Sequence, residues 1–69
     1  MTKVQTAYRL SRVLSEQDLE NIARVHTVYG IFAVRVQPSL EELLVEYDAS
    51  RLSAKEVEAT LEQHGIPVA

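Results

Sequence analysis

Cysteine and tryptophan are both absent from this 69-residue chain, and glycine and proline occur only twice each. Without cysteine there is no disulfide framework, thiolate metal site, iron–sulfur cluster or cysteine nucleophile. No apolar run approaches the roughly 18–20 residues of a membrane span. Met1 leads directly into alternating polar and apolar residues, so no signal peptide is read and the expected compartment is the cytoplasm. The two histidines are too few by themselves to close a zinc site. There is no Gly-rich phosphate loop, no Ser–His–acid set that the topology would assemble, and no pair of carboxylates in an evident cleft. The expectation is a protein that is not an enzyme.

What is present is an ordinary globular composition, 46% hydrophobic and 25% charged. The length allows a single domain, residues 1–69, and no second core. The net charge of −3 disfavours a nucleic-acid binder built on phosphate contacts. That charge is unevenly spread. Residues 1–14 hold Lys3, Arg9 and Arg12 and no acid, whereas all ten acids fall in residues 15–69. A basic first segment beside an acidic remainder can steer a partner, although surface charge more commonly only solvates.

Residues 3–10 alternate with period two, placing Val4, Thr6, Tyr8 and Leu10 inward and Lys3, Gln5, Ala7 and Arg9 outward, as in a half-buried strand. Ser15-Glu-Gln-Asp18 has the spacing of a capping box and predicts a helix start, with an apolar face of Leu19, Ile22, Ala23 and His26 and an end near Thr27. Gly30 breaks the pattern. Ile31–Gln37 reads as a second strand and Leu43–Asp48 as a third. Ser53-Ala-Lys-Glu56 is a second capping box, opening a helix with the stripe Val57, Leu61 and His64 and closed by Gly65. Ile66–Ala69 can supply only a very short last strand. The expected fold is α+β, a ferredoxin-like βαββαβ arrangement with a four-stranded antiparallel sheet and both helices on one face.

Gly30-Ile31-x-x-Val34-x-Val36, Leu43-x-Val45-x-Tyr47-Asp48, Ser53-x-x-Glu56-Val57, Leu61 and Gly65-Ile66 follow one another at informative spacings. In that order the chain resembles the heavy-metal-associated domain family, the fold of small copper chaperones and of N-terminal modules of metal-transporting ATPases. The resemblance spans essentially all 69 residues. It implies a soft-metal Cys-x-x-Cys on the loop between the first strand and first helix, usually preceded by Gly-Met-x. Here Arg12 stands at the glycine position, Val13 at the methionine, and Ser15 and Asp18 at the two cysteine positions. Transfer of copper(I) through two thiolates is therefore excluded.

Two readings of this corner compete. In one, Ser15 and Asp18 are a structural helix cap and His64 packs at the end of its stripe, beside the helix C-terminus. In the other, His64 joins Asp18 and Glu16 to bind zinc or nickel weakly, with water completing the shell. No cofactor is required by either. His26 is expected at the opposite end of the domain from His64, which argues against a two-histidine site within one molecule. Strand parity leaves Leu44 and one of Ile31 or Phe32 facing away from the helices, and Phe32 and Leu44 are the candidate contact residues. The second strand is an expected sheet edge, and Arg35 and Gln37 do little to block pairing there. The expected role is a non-catalytic interaction or regulatory domain linked to metal handling, with a protein partner or a homodimer through the sheet. The alternative is a metal-binding or metal-transport domain with His and carboxylate ligands.

Overall fold

The computed structural model describes residues 2–69. Strand β1 runs over Lys3–Arg9, helix α1 over Glu16–Val25, strands β2 and β3 over Ile31–Val36 and Glu42–Asp48, and helix α2 over Ala54–Gln63. The sheet is antiparallel with order β1-β3-β2. In β1 the alternation selects the faces as expected: Tyr8 and Leu10 are buried, Val4 and Thr6 half-buried, and Lys3, Gln5, Ala7 and Arg9 exposed. Inward residues of all three strands form one core with Ile22 and Val25 of α1, Val57 and Leu61 of α2, and Ile66. Both helices thus cover a single face of the sheet. Across its other face Glu46 receives Lys3 Nζ at 3.0 Å and Arg35 Nε at 3.1 Å.

Two expectations need correction. The fourth strand does not form as a strand. Its residues make one isolated bridge, Leu10 with Val68, flanked by Ser11 N–H donating to Pro67 O and Ala69 N–H donating to Arg9 O. Pro67 has no N–H to extend the ladder. The buried face of α1 is also rotated from the expected stripe. Asp18, Ile22 and Val25 are buried, while Leu19, Ala23 and His26 are exposed. Spacings of four and three describe both stripes equally well; burial of Asp18 at the helix start selects the observed one.

Strand β2 is an edge of the sheet, as expected, and a residue of another element guards it. His26, the C-cap of α1, donates from Nδ1 to Ile22 O at 3.1 Å and accepts the Val34 N–H at Nε2, also at 3.1 Å. A register shift between Ile31 and Ala33 further breaks the regularity of this edge. A bulge and a covering side chain are two of the devices that keep edge strands from pairing with other chains.

Both helices begin at the expected capping boxes, with Ser15 and Ser53 as N-caps. Gly65 has φ +79°, the left-handed conformation that ends α2, and a Cβ there would stand 3.2 Å from the Asn21 side-chain nitrogen. The C-terminal end of α2 is therefore held close against α1.

Candidate functional site at the first loop

The corner before α1 is built around one carboxylate. Asp18 is 2% exposed although it lies one turn from a helix N-terminus. Its Oδ2 accepts from Ser15 N–H at 2.8 Å, from Ser15 Oγ at 3.0 Å and from Arg12 Nη1; its Oδ1 accepts from Arg12 Nη2 at 3.1 Å. In return, the Asp18 N–H donates to Ser15 Oγ at 3.3 Å. Three donors thus converge on Oδ2 and one reaches Oδ1. The Arg12 guanidinium, followed by the Ser15 backbone N–H, lowers the Asp18 pKa from 3.8 to about 2. The same hydrogen bond raises the Arg12 pKa.

Residues flanking this clamp are exposed and apolar. Val13 in the loop and Leu19 in the first turn of α1 are 55% and 45% exposed. Arg9, Leu10, Ser11, Arg12, Val13 and Glu41 line a shallow groove of about 320 Å³ beside the loop.

The residues singled out from the sequence are only partly brought together. Ser15 and Asp18 are in direct contact, as a complete capping box. Glu16 is exposed at the first helical position and takes no part in the clamp. His64 is half-buried at the C-cap of α2, where its Nδ1 donates to Thr60 O at 2.8 Å. Among the described residues no group of three or more His, Asp or Glu side chains is placed to hold a metal ion, so His64, Asp18 and Glu16 are not gathered into one ligand set. Nor are Phe32 and Leu44 register partners: Leu44 lies opposite Ala7 and Arg35, while Phe32, 40% exposed, sits at the register shift.

Arg12 is the residue whose role the sequence did not disclose. Its only signal was a long cation at a position where the resemblance places glycine, six residues before an acid. The donor set does not fit a soft metal. The chain has no cysteine, and the one buried carboxylate of the corner is already paired with a guanidinium of the chain itself.

No family model matches this sequence, and no curated protein matches it. Solved structures do match its fold. A Bacillus anthracis (strain Ames) protein named for copper-ion binding has a TM-score of 0.78 at 22% identity, covering 99% of this chain and 97% of that one. Apo-CopP from Helicobacter pylori gives 0.78 at 16% identity, over 96% of this chain and all of that one. Oxidized MerP from Ralstonia metallidurans CH34 gives 0.77 at 14% identity, over 99% and 96%. The chain thus has the fold of the heavy-metal-associated, copper-chaperone-like domains. It contains no cysteine and therefore no Cys-x-x-Cys.

Proposed function

We propose that residues 1–69 form one non-catalytic, cytoplasmic domain of heavy-metal-associated fold that works through protein contacts, as an interaction or regulatory module of a metal-handling system. The observation that carries this reading is the Arg12–Asp18 clamp. At the corner where such domains carry their cysteines, this chain holds a buried carboxylate engaged by its own guanidinium and by the helix cap. The loop is closed without a metal, and a cation seeking Asp18 has to displace Arg12. Protein contact is supported by the exposed Val13 and Leu19 beside that closed loop. A homodimer through the sheet is the other form such contact can take. Nucleic acid is disfavoured by the net charge, and no helix among the described residues is long and apolar enough to cross a membrane.

One observation favours the second reading, a domain that binds metal with substituted ligands. With Nδ1 of His64 engaged by Thr60, Nε2 has no hydrogen-bond partner among the described residues, and the end of α2 abuts Asn21 of α1. Titration of the amide spectrum with zinc, nickel and, under reducing conditions, copper(I) separates the two. The interaction reading predicts unchanged resonances through a several-fold excess of each metal. Saturable, stoichiometric shifts at Glu16–Leu19 and His64–Ile66, abolished by His64→Ala, would overturn it in favour of metal binding.

A further inference from the structure

Each helix ends on a histidine, and the two rings make the same first contact. His26 at the C-cap of α1 donates from Nδ1 to Ile22 O at 3.1 Å, and His64 at the C-cap of α2 donates from Nδ1 to Thr60 O at 2.8 Å. The other ring nitrogens differ. Nε2 of His64 has no hydrogen-bond partner among the described residues, whereas Nε2 of His26 accepts the Val34 N–H of β2 at 3.1 Å. A carbonyl oxygen only accepts and a backbone N–H only donates. The His26 ring is therefore fixed as the neutral tautomer, with its proton on Nδ1 and a bare lone pair on Nε2.

One of the two His26 bonds thus depends on the charge of the ring. Protonation puts a second N–H on Nε2, which then meets the Val34 N–H as donor against donor. The bond to Ile22 O survives in either state, and the C-terminal end of a helix favours a cationic ring. Neighbouring charges leave the ring free to change state. On α1 the last turn carries Arg24, while Glu16, Asp18 and Glu20 lie in the first half of the helix. On β2 the guanidinium of Arg35 is bonded to Glu46, and Tyr29, in the turn after α1, lies under Arg51 at 4.6 Å. No carboxylate forms an ion pair with His26 among the described residues. We propose that His26 is a proton-operated latch between the end of α1 and the β2 edge, closed while the ring is neutral and open when it is an imidazolium. Imidazole ordinarily changes charge between about pH 5 and 8, so mild acidification opens the latch. Opening uncovers the outward N–H of Val34 on a strand that pairs with β3 alone, and an uncovered edge is what other chains pair with. The latch goes beyond the interaction reading above and does not rest on it.

Nitrogen-15 spectra of the imidazole rings report the tautomer and its titration, and amide exchange at Val34 reports the bond. With the ring neutral, His26 is expected as the Nδ1–H tautomer. On acidification the Val34 amide resonance should move in step with the His26 ring. Its exchange protection, corrected for the intrinsic pH dependence of exchange, should fall roughly three- to tenfold, the worth of one hydrogen bond. Gln37, whose N–H donates to Glu42 O on the β3 side, should not follow. His26→Gln, at an exposed C-cap position, should abolish the response at Val34, and His64→Gln should leave it intact. An Nε2–H tautomer for His26 would overturn the proposal, and that is read in the unsubstituted protein even where a variant fails to fold. A His26 ring that titrates without any response at Val34 would overturn it too, as would a response that persists in His26→Gln.

Discussion

Replacing Asp18 with alanine is expected to lower the unfolding free energy by about 2–4 kcal/mol, measured by urea denaturation. Loss of an N-cap partnership typically costs about 1 kcal/mol, and a hydrogen bond to a charged group contributes about 1.5–3 kcal/mol. Asp18 supplies both, through Ser15 and through both Nη atoms of Arg12. Arg12 is half exposed, so freeing it adds little penalty of its own. A chain of this length has on the order of 3–10 kcal/mol in total, so the variant approaches the limit of stable folding. Asp18→Asn keeps an acceptor for the Ser15 N–H and removes the charge, and should lose about half as much. If Asp18 served only as a metal ligand, its removal would leave the apoprotein's stability unchanged or raise it.

The second large effect lies in the core. Leu61→Ala should cost about 2–5 kcal/mol, the range for truncating a fully buried leucine. Leu61 is fully buried on α2, in one cluster with Val57, Val25, Val45 and Leu43, and the cavity would open where helix and sheet meet. Leu19→Ala serves as the contrast. Leucine at position 19 was expected on the core face from the sequence but is 45% exposed, so its truncation should change stability by no more than about 0.5 kcal/mol. Equal losses for the two variants would restore the helix phase read from the sequence.

That pair marks where the sequence was informative and where it was not. Strict alternation in Lys3–Leu10 and the two Ser-x-x-acid boxes fixed strands and helix starts, because each rests on interactions within a few residues. The phase of α1 depends instead on a tertiary event. Asp18 is buried beneath Arg12 and Ser15, and a 3.6-residue period cannot choose between two adjacent stripes. The last strand is interrupted for a local reason, the missing N–H of Pro67. At the β2 edge the covering group came from another element: His26 read as a face residue of α1, yet its ring reaches Val34. The corner was legible in part. Spacing alone puts Ser15 and Asp18 together, whereas Arg12 stands out only as a departure from the glycine of the resembled family. A side-chain pair that joins a loop to a helix start six residues on has no periodic signature, so the clamp leaves no mark in the sequence pattern.

The central claim is that the Asp18 carboxylate is already occupied by Arg12, and it is tested most directly by the carbon-13 titration of the Asp18 carboxyl. Arg12 and then Ser15 stabilise the charged form, so the folded pKa falls below the ordinary 3.8. The stability this supplies is present above about pH 4 and lost as pH falls from there towards 2. Asp48 is likewise lowered to about 2, first by the Ser50 hydroxyl and then by the Thr2 N–H, which makes the resolved signal of Asp18 preferable to global acid unfolding. The account predicts a midpoint near 2 for Asp18 that moves up towards 3.8 in Arg12→Ala. A wild-type midpoint already near 3.8, unmoved by that substitution, would mean the corner is not clamped and would contradict the account.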